Sequence, residues 1–454
     1  MTTVASLIRA RKGDQHAGYI FEGRTYTWDE VVSESAVRAS ILAELLSDDR
    51  PPHVGILLEN TPDYLFWIGG AALVGACVVG INPTRRGSEL ERDIQHTDCQ
   101  IIVSDQSGMT LIGGLQTGVD TNKVIDVDSA QHRDQLLQHR DATLPEHEPD
   151  ENSILFLLFT SGSTSAPKAV VCTNQRMATA SVRAGQIYGV TANEVCYCPM
   201  PLFHGNALMA CWGPALAVGA TLVLRRKFSA SNFMSDIRAH QCTYFTYVGR
   251  TIAYILGQPI SDEDRNNTLR LGFGTEASAL DRERFLERFG CDLVEGYGSS
   301  ESVVAIIRTP DTPANALGKE RADMAGQVCI VDPDTTLPTS DQGRTIPLRG
   351  VVEKPDAAHA PSDLAVVGRY ILGPKIFERL EQTPHGLNGE IQLTDAIHTL
   401  AQEQPVVARH FSGTRYDVGS PEGWLRANLH VALDHPIYGP VVRRAIAADN
   451  ERLT

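Results

Sequence analysis

The sequence predicts an α/β protein, with a large multilayer α/β domain over residues 1–335, a junction at 336–345 and a smaller, partial α/β segment over 346–454. Three observations predict it. Short β-branched or apolar runs alternate with stretches of helical period, the rhythm of a parallel or mixed sheet covered by helices on both faces. The composition, 42 % hydrophobic and 21 % charged over 454 residues, is that of a globular chain able to bury a large core. The chain also changes character near residue 320: all nine Cys precede residue 330, and Thr339–Arg344, TSDQGR, reads as a junction.

The elements follow in order. Phe21–Trp28 alternates around a Glu-Gly turn and predicts a hairpin, after which Asp29 caps a helix running towards Leu46. Val54–Leu58 is a short strand, and Asn60-Thr61-Pro62 starts a helix. The uncharged stretch Tyr64–Ile81 is long enough to span a bilayer, but Gly69, Gly70, Gly75 and Gly80 and the β-branched Val78-Val79 favour a buried helix followed by a buried strand. Leu90–His96 continues helically, Ile101–Val103 is a strand, and residues 107–150 form a polar connector. Ile154–Phe159 and Ala169–Cys172 are strands flanking a loop of hydroxyls. Thr173 or Asn174 caps a helix to about Gly185, and the strand Val195–Cys198 ends at Pro199-Met200-Pro201-Leu202-Phe203-His204. Strands at Thr221–Leu224, Tyr244–Val248 and Arg270–Gly274 are separated by helices such as Ala230–His240 and Asp281–Phe289.

Charge and cysteine usage narrow the function. A net charge of -15 argues against a nucleic-acid partner, because phosphate backbones are met with excess Lys and Arg; small-molecule partners are expected instead. The cysteines show no CxxC pair and no metal-ligand spacing, which fits a reducing cytoplasm. Arg9, Arg11 and Lys12 have no apolar region behind them, so neither a cleavable signal nor a membrane anchor is expected.

Two motifs carry chemistry. Between the strands at 154–159 and 169–172, Thr160, Ser161, Ser163, Thr164 and Ser165 offer hydroxyls, Gly162 permits close backbone approach, and Lys168 adds a point charge, a set suited to a polyphosphate. It is not a Walker A loop, since no Gly-Lys-Ser/Thr closes it and a strand rather than a helix follows. In LVEGYGSSE, residues 293–301, a strand delivers Tyr297, Gly298 frees the turn, and the Ser300 hydroxyl and Glu301 carboxylate follow. Tyr297 is suited to stack on a base, and Glu301 to hold Mg2+. Gly272–Ala277 matches a loose GxGxxA dinucleotide pattern, but no acidic residue follows on a suitable strand, and that reading is rejected.

Both motifs resemble those of the adenylate-forming acyl-CoA synthetase superfamily, Thr-Ser-Gly-Ser-Thr-Gly-x-Pro-Lys and Tyr-Gly-x-Thr-Glu, with Ser165 where that family has Gly and Ser300 where it has Thr. GRTYTW, LLENTPDYLFW, GINPTRR and the Pro-Leu-Phe-His turn are similar to the same family. The resemblance implies its multilayer α/β fold and its cofactors ATP, Mg2+ and coenzyme A. It implies that Lys168 and the hydroxyl loop meet the phosphates, that Ser300 meets the α-phosphate, and that His204 or Phe203 lines the acyl and adenylate pocket. Gly274 and Thr275 would contribute backbone beneath adenine and the carboxyl substrate. The implied reaction is attack of a carboxylate on the α-phosphorus of Mg-ATP, followed by capture of the acyl-adenylate by coenzyme A. A medium- or long-chain fatty acid or a sterol-like acid fits the family.

That family continues through a small barrel, a hinge and a mobile domain bearing a catalytic Lys, none of which is legible after residue 320. Instead VVEKP, LAVVGRYIL, GEIQLTDAI and RYDVGSPEGWLRA resemble the C-terminal part of UTP:glucose-1-phosphate uridylyltransferase. Carried over, Glu353, Val367 and Gly368 would touch a hexose, Lys354 its phosphate and Asp417 a metal ion, and the segment would be a partial nucleotidyltransferase-like α/β piece. The Gly-rich nucleotide loop of that family is missing, so a uridylyltransferase activity is the alternative to adenylation, and a non-catalytic ATP- or acid-binding remnant is a third reading. The apolar runs LAVVGRYIL and PVVARHF are expected to face solvent.

Overall fold

A computed structural model describes residues 2–160, 168–299, 303–308, 312, 319–320, 345–348, 350–351, 370, 372–384, 391–409 and scattered positions between 425 and 444. The chain divides into two units, Met1–Ala325 and Gly326–Thr454.

The first unit opens with α1 (Val4–Arg9), the hairpin of β1 (Ala17–Phe21) and β2 (Arg24–Thr27), and the long helix α2 (Trp28–Leu45). The cap of α2 differs from expectation. Thr27 is the N-cap: its hydroxyl accepts from the Glu30 amide at 3.1 Å while the Glu30 carboxylate accepts from the Thr27 amide at 2.7 Å, satisfying two otherwise orphan donors. Asp29 lies in the first turn, where its charge suits the positive end of the helix.

Next come β3 (His53–Leu57), α3 (Pro62–Val74), β4 (Cys77–Gly80), α4 (Gly87–His96) and β5 (Ile101–Ser104). The apolar stretch 64–81 is a buried helix and a buried strand, and among the described residues no helix is long and apolar enough to cross a membrane. Its paired glycines have a packing cause. Helix α3 lies so close to α2 that a Cβ on Gly70 would stand 2.6 Å from the Arg38 Cβ, and one on Gly69 would stand 2.8 Å from the Ser35 Cβ.

Residues 107–150 are more than a connector, since they hold most of α5 (Gln106–Ile112) as well as β6 (Val124–Asp126) and α6 (Ala130–Gln138). β6 is a three-residue edge strand with one buried side chain, Ile125, too short to show alternation in sequence. With β7 (Ile154–Thr160) and β8 (Lys168–Thr173) the first sheet is complete, in the order β6-β5-β3-β4-β7-β8, parallel except for the β7–β8 hairpin.

The second sheet is built from α7 (Asn174–Tyr188) onwards. Thr173 caps α7, accepting from the Arg176 amide at 3.2 Å, and the helix runs past Gly185 to end at Gly189 in the left-handed conformation. β9 (Val195–Cys198) precedes a buried helical run, α8 (Gly205–Ala207), a π-turn (Leu208–Trp212) and α9 (Gly213–Val218). Because this run is apolar on every side it carries no amphipathic period, and the sequence pattern misses it. Then follow β10 (Thr221–Leu224), α10 (Phe233–His240), β11 (Tyr244–Val248), α11 (Gly249–Leu256), β12 (Leu271–Thr275), α12 (Ala279–Phe289), β13 (Asp292–Ser299), β14 (Val303–Ile307) and β15 (Lys319–Glu320). The order is β15-β14-β13-β12-β11-β9-β10-β1-β2, parallel from β13 through to β1 and antiparallel at both edges. Trp28, Trp67 and Trp212 are fully buried in the core, where the Trp212 indole donates to the Tyr19 hydroxyl at 2.9 Å.

In the second unit β16 (Thr345–Leu348) pairs antiparallel with β17 (Val406–Arg409) beside α13 (Lys375–Gln382) and α14 (Leu393–Glu403). A small core gathers Ile376, Ala396, Ile397, Leu400 and Val406. The run PVVARHF therefore does not simply face solvent: its strand is paired, and Val406 is buried beside the helices. Most of LAVVGRYIL lies outside the described residues.

Candidate active site

In open parallel sheets, ligands bind beyond the carboxyl ends of the strands. At that edge the turn after β9, Pro199–His204, is held from several sides. Asn60, itself buried, donates its Nδ2 to the Met200 carbonyl at 2.7 Å and accepts at Oδ1 from the Leu202 amide at 2.9 Å. Phe203 lies against Gly80 at the end of β4, where a Cβ would stand 3.2 Å from the Phe203 Cβ. Gly205 faces Leu158 of β7, with 3.8 Å between a Cβ placed there and the Leu158 side chain. The turn thus leaves one sheet and rests on two strands of the other.

At this turn the ring centroids of His204 and Phe203 lie 4.3 Å apart. Desolvation by the surrounding protein holds the His204 pKa below the ordinary 6.5, so it presents a neutral imidazole at pH 7. Two residues on, Asn206 donates from Nδ2 to the Tyr247 carbonyl at 3.5 Å, while its buried Oδ1 has no partner in the protein. That acceptor is available to a water or a ligand donor.

Tyr247, Gly274 and Glu295 stand side by side in register on β11, β12 and β13. A Cβ on Gly274 would lie 2.5 Å from Tyr247 Cδ2, so only the bare glycine lets the tyrosine ring pass over β12. The Tyr247 hydroxyl donates to Glu295 Oε1 at 2.7 Å, and the same oxygen accepts from the Ala277 amide at 3.2 Å. Burial, and secondarily the adjacent Glu295, push the Tyr247 phenol far above its ordinary range, so it is a permanent donor. Between these contacts the chain turns through Thr275 and Glu276, the latter in the left-handed region at φ 70°. Arg282 closes the turn by donating to the Ala277 carbonyl at 3.0 Å.

Thr160 and Lys168 are cross-strand partners at the end of the β7–β8 hairpin, and the hydroxyl loop joins them. Ser161, Gly162, Ser163, Thr164 and Ser165 lie outside the described residues, as do Ser300 and Glu301. The backbones of Tyr297 and Gly298 sit in β13 opposite Ile306 and Val304, with a bulge between them. The hairpin strand, the His204 turn, Gly274 and Thr275, and the strand bearing Tyr297 are thus linked by a continuous chain of contacts. Glu353, Lys354, Val367, Gly368 and Asp417 lie outside the described residues. Among the described residues no group of three His, Cys, Asp or Glu side chains is placed to hold a metal. A cavity of about 450 Å³ elsewhere, lined by Glu59, Asp63, Asp105, Asp128 and Arg226, contains none of the predicted site residues, and its carboxylates would repel a polyphosphate. Asn60, Tyr247 and Glu295 were not singled out in the sequence. The available signal was a lone Glu inside an otherwise buried strand segment, which must be paired to be stable there.

Comparison with known proteins places the fold. The AMP-binding enzyme family matches residues 8–346. Steroid-22-oyl-CoA synthetase of Rhodococcus jostii is 48 % identical over 338 residues, covering 74 % of this chain and 60 % of the relative. Medium/long-chain-fatty-acid--CoA ligase FadD17 of Mycobacterium tuberculosis is 40 % identical over 336 residues, covering 74 % of this chain and 65 % of the relative. The chain therefore spans less than two thirds of the length of these relatives. Among solved structures, the anthranilate CoA ligase AuaEII in complex with anthranoyl-AMP superposes with a TM-score of 0.63 at 20 % identity, over 76 % of this chain and 69 % of that one. The N-terminal domain of FACL13 from Mycobacterium tuberculosis does so with a TM-score of 0.59 at 19 % identity, over 66 % and 77 %. These likenesses show the mixed α/β fold with two parallel-rich sheets. They lend no support to the uridylyltransferase resemblance of residues 346–454. With the family model matched across most of this chain, the chain belongs to the AMP-binding enzyme family.

Proposed function

We propose that this chain binds Mg-ATP and a carboxylic acid and forms an acyl-adenylate on the path to acyl-CoA. What supports the reading above all is the β7–β8 hairpin: Thr160 and Lys168 close its end, and its strand meets the His204 turn through Leu158 and Gly205. In this reading Lys168 and the hydroxyls of Thr160, Ser161, Ser163, Thr164 and Ser165 neutralise the phosphates as charge accumulates on the transferring group. Gly162 allows close approach, Gly274 and Thr275 offer backbone to adenine, Tyr297 stacks on it beside Gly298, and Ser300 meets the α-phosphate. The Glu301 carboxylate is a hard oxygen ligand suited to Mg2+, which when bound neutralises phosphate charge. His204, neutral at pH 7, lines the acyl side. The acids that fit are those in the names of its relatives, steroid acids and medium- or long-chain fatty acids.

Residues 346–454 are proposed as a separate segment after a junction at 336–345, bearing on sequence motifs alone a resemblance to a uridylyltransferase C-terminus. Calorimetric titration with Mg-ATP tests the assignment. Lys168→Ala and Glu301→Ala should each weaken binding, and Lys354→Ala and Asp417→Ala should leave it unchanged. Equal weakening by Asp417→Ala would overturn the division of the chain.

A further inference from the structure

From the register row Tyr247–Gly274–Glu295 we infer that Glu295 is a positioning residue for the nucleotide site, fixing the Gly274–Ala277 turn relative to the strand that carries Tyr297. The inference rests on the adenylate reading above and deepens it.

The geometry is specific. Glu295 is 2 % exposed, and a buried carboxyl group is stable only when partnered. Its partners come from two different places, the tip of β11 through the Tyr247 hydroxyl and the exit of β12 through the Ala277 amide, both meeting one oxygen. The strand between them contributes only Gly274, whose missing side chain lets the Tyr247 ring cross. Thr275 and Glu276 are therefore bracketed. Before them Gly274 is pinned beneath the ring, and after them Ala277 is tied to β13. The left-handed Glu276 needs such bracketing, because a non-glycine residue at φ 70° holds that conformation only where its surroundings impose it. Gly249 reinforces it from α11, since a Cβ there would stand 2.6 Å from the Glu276 carbonyl carbon. Glu295 lies two residues before Tyr297 on the same strand, so the group that fixes the turn also belongs to the strand bearing the proposed adenine-stacking residue. A shift of the turn by a fraction of an ångström would detune the backbone groups offered to adenine without unfolding the sheet.

The test uses the full chain and measures two things in each variant. The first is amide hydrogen exchange over 274–277 without ligand; the second is the affinity for Mg-ATP and for AMP. Glu295→Ala frees the Ala277 amide and lets the Tyr247 hydroxyl turn to the Val294 carbonyl, 3.3 Å away. Exchange over 274–277 should accelerate, and nucleotide affinity should fall about tenfold as the backbone groups offered to adenine lose their placing. Glu295→Gln, which keeps an acceptor for Ala277, should recover part of the affinity. Tyr247→Phe keeps the ring and hence the fold should Glu295→Ala fail to accumulate; it should weaken nucleotide binding less than Glu295→Ala, and its effect should vanish in a Glu295→Ala background. A merely structural carboxyl group would lower thermal stability in all three and leave the affinity of the folded fraction unchanged, which would overturn the inference. Wild-type chain that binds neither nucleotide would overturn the adenylate reading and this inference with it. Wild-type binding that survives Glu295→Ala and Tyr247→Phe unchanged would overturn this inference alone.

Discussion

Replacing Asn60 by Ala probes how the Pro199–His204 turn is held. The side chain makes two hydrogen bonds to backbone, 2.7 Å to the Met200 carbonyl and 2.9 Å from the Leu202 amide, and it is buried, so water cannot replace it freely. Removing it strands one buried acceptor and one buried donor, each costing about 1–3 kcal/mol, for a total of about 2–4 kcal/mol once local relaxation is allowed. For a unit of this size that lowers the melting midpoint by about 3–6 °C. Asn60→Asp discriminates the two bonds: its oxygen still accepts from Leu202 but a carboxylate oxygen faces the Met200 carbonyl, so it should be no more stable than the Ala variant. The assay is urea denaturation followed by tryptophan fluorescence, together with titration of a medium-chain fatty acid against folded protein, whose affinity should fall as the Phe203–His204 wall loosens. An Asn60→Ala chain within 0.5 kcal/mol of wild type, a margin typical of surface substitutions, would refute the claim that this side chain holds the turn.

Gly70→Ala places a methyl group against Arg38 and the α2 backbone; overpacking of this kind costs about 1–3 kcal/mol, readable as a shift in urea midpoint, and a neutral result would contradict the close α2–α3 approach. His132 is buried, stacked on Trp67 with ring centroids 5.9 Å apart, and burial lowers its pKa below 6.5. The unfolded chain thus binds a proton that the folded chain refuses, so stability is full above pH 6.5 and falls as the pH drops through that value towards the folded pKa. His132→Phe should flatten this part of a stability-against-pH curve, and an unchanged slope would show that other groups carry it. His204→Ala should weaken acid binding and leave Mg-ATP affinity unchanged in paired titrations; a loss confined to ATP would move this side chain to the nucleotide end.

Much of the scaffold was legible because its signals are local. The run Ile154–Phe159 and the hydroxyls after it marked a strand and a loop, and Tyr64–Ile81 showed its true nature through glycines where a membrane helix would have no need of them. The α8–α9 run was not legible, since a helix buried on every face has no polar stripe to give its period. Nor was β6, where three residues at a sheet edge present one buried side chain. The site was half legible. Residues with distinctive chemistry at motif spacing, such as Lys168 and Tyr297, stand out in sequence, whereas Asn60 and Tyr247 matter through partners 140 and 48 residues away, a pairing set by the sheet order. Thr27 rather than Asp29 became the cap because the reciprocal bond with Glu30 satisfies two amides where Asp29 would satisfy one.

The central claim, that this chain forms acyl-adenylates, is tested most directly by ATP–pyrophosphate exchange in the presence of a panel of fatty and steroid acids. Exchange should be acid-dependent, require Mg2+ and disappear in Lys168→Ala. Exchange that needs no acid, or that persists undiminished in Lys168→Ala, would contradict the account.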